Sequence, residues 1–385
     1  MSKNLFKYPV KLVKLDISND ERYARYADRL GVLLIWTTRY IDSVEQLQWD
    51  DCWKAKDGYL NQIKQRINHP SIIMWEGSNE YHPNLKDIDK IYSEFVLSVK
   101  SVDTTRLICP VSHLYYAADS YALDGCQYYN CDGTTDQDGN LVCAPDSWND
   151  DLVVRSAHTY FILLGYGTPW QNMRLQKWSE QPELLSSREK AYIVSEFSVI
   201  GRQDPSTKEA REEYFNPFSY ELCDENVLGF QFADDEWQKS QAYQALAAHH
   251  NIKQLRLNDA DGMLWCALMG GANDGGYLKP PIDNYGYAKM AFYTMREGFS
   301  DVYAALCDVD TKKSADFVVS PILYGQKGKS YYLSVSIADE CGACVAKKDF
   351  GKITLGGEKE KIPDWNPNIS ADGYYEIIFS ITQVD

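Results

Sequence analysis

Residues 68–80, NHPSIIMWEGSNE, decide the fold of this 385-residue chain. Ser71 to Trp75 is a short, unbroken apolar run. It shows no polar alternation, so it reads as a β-strand covered on both faces, the signature of a parallel sheet. The run then meets Gly77, Ser78, Asn79 and Glu80. A strand buried along its length that surfaces on an acid is placed like a strand feeding the open end of an α/β structure.

The rest of the chain agrees with this reading. Apolar runs at 10–16, 31–36, 107–112, 153–158, 191–197 and 262–268 predict further strands. Helical periodicity predicts helices over 19–30, 49–67, 85–100, 225–257 and 285–298, the first capped by Asn19 or Asp20. Strands alternating with helices give an α/β class and a parallel sheet. Seven strands are counted, against the eight that close a (β/α)8 TIM-type barrel. After about Cys307 the texture changes: FVVSPILYG, KSYYLSVSIAD, ACVAKKDF, KITLGG and GYYEIIFSITQVD follow closely with no helix between them. This predicts a small all-β, immunoglobulin-like sandwich. The expected division is 1–305 for the barrel and 306–385 for the sandwich. Between them in character, residues 113–150 have loop composition, and CDGTTDQDGNLVC reads as a hairpin turn, too short for a calcium-binding EF-hand loop.

Composition narrows the partners. The net charge of −16 disfavours nucleic acid and anionic membrane, both of which need a cationic surface. No stretch approaches 18 consecutive apolar residues. The N-terminal segment shows no apolar core followed by a small-residue cleavage site, so the chain as given reads as cytoplasmic; sequence further upstream would permit an exported precursor. With 28 Tyr and 10 Trp, the chain has aromatic surface suited to stacking on sugars, although an aromatic-rich core accounts for the numbers equally well. Of ten cysteines, Cys126, Cys131 and Cys143 share one polar loop and Cys341 and Cys344 form a lone C-x-x-C. Neither has a second ligand pair at zinc spacing, so free thiols or a local disulfide are expected ahead of a metal.

Catalytic groups of a parallel barrel sit where strands end. Two strands here end on acids: SIIMWEGSNE on Asn79-Glu80, and AYIVSEFS on Glu196. A lone Glu at a strand end is ordinarily a helix cap or half of a surface salt bridge. Two at matching positions are the minimal equipment for glycoside hydrolysis, one held protonated as general acid and the other ionised as nucleophile.

These segments resemble glycoside hydrolase family 2, the family of β-galactosidase, β-glucuronidase and β-mannosidase. NHPSIIMWEGSNE resembles its acid/base segment, H-P-S, an apolar run with Trp, then N-E. AYIVSEFS resembles its nucleophile strand. DGMLWCALMGGANDGG and IDNYGYAKMAFYTMRE resemble its last barrel strand and helix, and ERYARYADRLGVLLIW the helix and third strand, with D-x-x-G before the apolar run. The resemblance covers roughly residues 10–305. It implies that Glu80 is the acid/base and Glu196 the nucleophile of a retaining exo-β-glycosidase without cofactor or metal. It further implies that Asn79 bonds the sugar 2-hydroxyl and that Tyr160, His158 and Trp265 border the sugar. Core packing is the other reading of His158 and Trp265. Trp36, His113 and Arg202 are candidates by proximity to strand ends. The substrate implied is a β-galactoside, with a β-mannoside as the alternative; a homo-oligomer stays open.

The pattern also departs from that family. With Glu80 on the fourth strand, only two strands precede it, so the barrel reads as N-terminally shortened by its first strand and by the sandwich domains that usually precede it. KLVKLDISND lacks the Arg and His common on the second strand. These departures keep open a barrel that binds carbohydrate without cleaving it.

Overall fold

The computed structural model describes residues 12–15, 20–38, 49–81, 88–114, 133–135, 141–143, 151–158, 192–198, 201, 237–257, 259–266, 268, 280–283, 286–307 and 318–384. Strands β1 (Leu12–Leu15), β2 (Leu33–Thr37), β3 (Ile72–Tyr81) and β4 (Leu107–Leu114) form one parallel sheet in that order. Strands β7 (Arg155–His158), β8 (Tyr192–Phe197) and β9 (Gly262–Trp265) form a second parallel run. A parallel bridge from Ile108 to Val153 joins the two, and β9 comes up against β1. Among the described residues this gives seven parallel strands curling into a TIM-type barrel, the α/β class expected. Between β4 and β7, the antiparallel pair β5 (Gly133–Thr135) and β6 (Leu141–Cys143) is the hairpin read from the loop.

Helix α1 (Glu21–Leu30) starts as anticipated, with the Asp20 carboxylate accepting from the Arg22 N–H at 2.9 Å. It ends on Gly31, whose φ of 69° closes the last turn in the left-handed conformation. Helices α2 (Trp49–Arg66), α3 (Ile88–Lys100), α4 (Trp237–Leu257) and α5 (Met290–Gly298) follow. Helix α4 starts at Trp237; the expected residues 225–236 lie outside those described.

Alternation along the strands sorts the side chains into two cores. Ile35, Met74, Cys109, Val154, Ile193 and Leu264, drawn from strand after strand, pack together as the barrel interior. Their neighbours Trp36, Trp75 and Ile108 face outward and pack with Ala24, Ala27, Tyr59, Ile63, Phe95 and Val99 of the helices.

Strands β3 and β4 approach unusually closely. A Cβ placed on Gly77 would lie 2.3 Å from the Pro110 carbonyl oxygen and 3.2 Å from the Phe95 ring. Only glycine fits there, which explains the Gly in the opening motif. Pro110 also limits the seam on its other side. Ile108 donates to Leu152 O and accepts from Val154 N–H, and the next rung would need an N–H that proline lacks. Gly77→Ala is expected to destabilise the chain by about 1–3 kcal/mol through overpacking, read as a lowered urea midpoint. An unchanged midpoint would show that the strands separate freely.

The H-P-S of the motif is structural. His69 Nδ1 lies 2.6 Å from Asp28 Oδ2, and the Ser71 N–H donates to Asp28 Oδ1 at 3.0 Å. Asp28 belongs to the D-x-x-G of α1, so the two motifs are halves of one clasp between α1 and the start of β3. At the same end, Asp103 accepts hydrogen bonds from Trp75 Nε1, the Thr105 N–H, the Thr105 hydroxyl and Arg106 Nη1 at 2.7–2.9 Å.

The C-terminal part consists of two three-stranded antiparallel sheets. One runs β10 (Tyr303–Leu306), β11 (Pro321–Tyr324), β14 (Lys359–Lys361); the other runs β13 (Cys344–Thr354), β12 (Ser330–Asp339), β15 (Tyr375–Val384). Their facing sides share Leu323, Tyr331, Leu333, Leu355 and Ile362, the sandwich expected. The runs ACVAKKDF and KITLGG form the single strand β13. It is kinked where the register slips beside Gly351, whose φ is 72°. Strand β10 begins just before the expected boundary at 305. Arg256, near the end of α4, reaches this layer: its Nη1 donates to Gly298 O (2.6 Å) and Ser300 O (2.9 Å), and its guanidinium lies over the rings of Tyr303 (4.7 Å) and Tyr324 (4.9 Å).

Candidate active site

At the C-terminal ends of the barrel strands the interior changes from apolar to polar. Two residues beyond Ile35, Met74, Val154 and Ile193 stand Thr37, Glu76, Ser156 and Ser195, all buried. The Thr37 hydroxyl donates to Glu76 Oε1 at 2.9 Å, and the Ser156 and Ser195 hydroxyls lie 2.6 Å apart. This is a hydrogen-bonded floor beneath the barrel mouth.

Asn79 and Glu80 stand beyond that floor, on the strand itself. The apolar run ends at Trp75, but β3 continues to Tyr81 because its ladder with β4 persists through Asn79↔Ser112 to Tyr81↔Leu114. Asn79 is half-buried, and its Oδ1 accepts from the Ser112 hydroxyl at 3.0 Å. Glu80 is placed by its backbone one residue further on.

Glu196 sits where both neighbouring ladders slip. Pairing with β7 jumps from Ala157↔Val194 to His158↔Glu196, and pairing with β9 from Val194↔Met263 to Phe197↔Trp265. Such irregularities re-aim side chains at barrel rims. Val194 packs in the helix-side core and Ser195 in the polar floor; the slip then breaks the alternation, so that Phe197 returns to the helix-side core and Glu196 is half-buried. His158 lies beside Glu196 in register.

Trp265 is half-buried: its ring stands edge-on to Phe197 at 5.3 Å between centroids and packs against Ala247. Trp36 does not border the mouth. It is fully buried on the helix side with the Arg66 guanidinium over its ring at 4.6 Å, since Ile35 takes the interior position. His113 is on β4 by its backbone. Tyr160 and Arg202 lie outside the described residues.

Sequence reading missed Glu76, Ser112, Ser156, Ser195 and Lys289. Ser156 and Ser195 carried a signal, a polar residue two places beyond an interior apolar one. Lys289, from the G-x-x-K of the last helix motif, is buried, and its Nζ donates to Gly201 O at 2.8 Å, fixing the chain just past Glu196. Among the described residues no three His, Cys, Asp or Glu side chains cluster as metal ligands. Cys341 and Cys344 are exposed thiols. No described helix is long and apolar enough to cross a membrane.

With this geometry in place, comparison with known proteins is informative. The β-D-mannosidase of Dictyoglomus thermophilum has a similar structure (TM-score 0.61, 14% identity, covering 97% of this chain and 44% of that one). So has the exo-chitosanase CsxA of Amycolatopsis orientalis (TM-score 0.57, 12% identity, 97% and 43%). A β-glucuronidase from Ruminococcus gnavus matches with TM-score 0.52 and 14% identity over 75% of this chain and 43% of that one. At these identities the likeness is one of fold, and the chain spans less than half the length of each of the three. No curated protein matches the sequence. The family model of the cellulases, glycosyl hydrolase family 5, matches residues 35–234, just over half of the chain, including Asn79, Glu80 and Glu196. The motifs resemble family 2 and the matching model is that of family 5; a glycoside hydrolase barrel is common to both, and the finer assignment passes to the family whose model matches. The chain belongs to the cellulase family, glycosyl hydrolase family 5.

Proposed function

We propose that the chain is a retaining exo-β-glycosidase, a glycoside hydrolase barrel whose motifs resemble those of family 2. The observation that carries this reading is the double register slip at Glu196, across the barrel from a β3 that extends to present Asn79 and Glu80. In this reading residues 1–305 form the catalytic barrel and 306–385 the accessory sandwich. The substrate is a terminal β-linked sugar, β-galactosides first and β-mannosides second. Glu196 attacks the anomeric carbon while Glu80 protonates the departing oxygen; Glu80 then takes a proton from water, which releases the sugar from Glu196. Asn79 bonds the 2-hydroxyl, His158 and Tyr160 flank the nucleophile, and Trp265 lies under the sugar ring. No cofactor takes part.

A panel of nitrophenyl β-glycosides (galactoside, mannoside, glucuronide, glucoside, N-acetylglucosaminide) tests the reading. Turnover of one sugar, with the β anomer formed first by NMR, is expected. The α anomer first would replace the nucleophile with a general base. Sugar binding without turnover would make the chain a carbohydrate-binding barrel, the second reading carried from the sequence.

A further inference from the structure

Lys289 stands in an unusual place for a cation. It is buried, and it is the N-cap of α5, where the peptide dipoles leave partial positive charge and an acid or a hydroxyl is the common choice. Its side chain makes no capping bond; its Nζ donates to the Gly201 carbonyl oxygen at 2.8 Å. Gly201, five residues past Glu196, is hemmed in from α4 as well. A Cβ added there would lie 2.5 Å from Gln244 Oε1 and 2.8 Å from Gln244 Cβ. Gln241, on the preceding turn of α4, accepts from the Met290 N–H at 3.3 Å and ties that helix to the start of α5. The chain leaving β8 thus enters a clamp formed by two helices. Before the clamp, both ladders slip at Glu196, and the last described ladder bond of β8 runs from the Cys266 N–H to Phe197 O at 3.0 Å. Glu196 therefore sits at a strand end where backbone pairing sets a side chain's direction least.

We propose that Lys289 is a positioning residue: by holding Gly201 it keeps the end of β8 from fraying and the Glu196 carboxylate aimed at the anomeric carbon. An ammonium donates a stronger, charge-assisted bond than a neutral amide does, which suits an anchor beside a strand end with few ladder bonds of its own. Without the anchor the carboxylate stays near the sugar but spends less time in line with the anomeric carbon. The chemical step then slows while binding hardly changes. The inference rests on the nucleophile role of Glu196 in the function proposed above.

The test compares three variants on the nitrophenyl β-glycoside that the parent turns over. Lys289→Met keeps an apolar stem of similar length and removes the donor; Lys289→Arg keeps a donor; Gly201→Ala displaces the same point while Lys289 stays. Lys289→Met and Gly201→Ala are each expected to lower kcat roughly 10- to 100-fold with little change in KM, and Lys289→Arg to recover most of the loss. Lys289→Met is then repeated in a Glu196→Gly chain supplied with azide, which attacks the anomeric carbon from the vacated space as nitrophenolate leaves and gives the α-glycosyl azide. A residue that acts by aiming the carboxylate has nothing left to aim there, so the azide-dependent rate is expected to stay within about twofold. An equal fall with and without Glu196, a rise in KM with kcat unchanged, or no fall in kcat for either Lys289→Met or Gly201→Ala overturns the positioning role. An active parent whose Glu196→Gly variant is unimpaired without azide moves the nucleophile elsewhere, and the role falls with it. A parent that turns over no glycoside removes the glycosidase reading, and the inference with it.

Discussion

Glu196→Gln is expected to lower kcat on the preferred aryl glycoside by at least roughly 10³-fold while leaving sugar binding nearly intact. The substitution keeps the shape and much of the hydrogen bonding of the side chain but removes the carboxylate that, in the mechanism proposed above, attacks the anomeric carbon. Loss of a nucleophile acts on the chemical step, so kcat falls and KM stays or drops. Glu80→Gln is expected to behave differently. Nitrophenolate leaves with little help, so the loss should be small on nitrophenyl substrates. It should reach about 10²–10⁴-fold on alkyl glycosides, whose leaving oxygen needs a proton. Steady-state kinetics with both leaving groups on both variants separates the two roles. A Glu196→Gln chain that turns over as fast as the parent would move the nucleophile to another residue.

The second large effect concerns stability. Asp103→Ala is expected to cost about 3–5 kcal/mol, read as a lowered urea midpoint at neutral pH, because it removes one member of a buried charge pair and leaves Arg106 and the Trp75 indole N–H without their acceptor. Arg106 also donates to the carbonyls of Ile67, His69 and Ile72, so the cluster ties the chain entering β3 to the chain entering β4. Burial pushes the Asp103 carboxyl up, but the hydrogen bonds from Trp75, Thr105 and Arg106 outweigh it and hold it well below the usual carboxylate range. A folded-state pKa below the unfolded one means that the stabilisation is full above the ordinary aspartate value of about 4 and is lost as pH falls toward the folded value. The deficit of Asp103→Asn relative to the parent should accordingly shrink as unfolding is measured at successively lower pH below about 4. A deficit constant with pH would assign the effect to packing alone.

Much of the barrel was legible because its strands are unbroken apolar runs, a pattern that burial on both faces imposes. The termini were less legible. The apolar run of β3 stops at Trp75, yet the ladder with β4 holds six residues longer. The last helix was read from Tyr285 but begins at Met290, since Gly286, at φ 87°, and the Asp283 turn keep the preceding segment irregular. Glu80 and Glu196 could be picked out as acids ending buried runs. Glu76 could not: in one dimension it is one more charge after a tryptophan, and only the pairing of β2 with β3 brings Thr37 to it. Trp36 misled for a related reason, because the residue at the end of an apolar run can face the helices as well as the mouth.

Arg256 bears on how such a protein can be taken apart. One guanidinium holds the carbonyls that end α5 and lies over two tyrosines of the sandwich, and it is buried enough that its pKa is lowered. The seam between barrel and sandwich is thus a keyed joint, unlike a flexible tether. A lysine could not fill it, since its single ammonium cannot both fork to two carbonyls and lie flat on two rings. A different sandwich grafted onto this barrel without rings at the places of Tyr303 and Tyr324 would leave a buried cation facing the wrong surface.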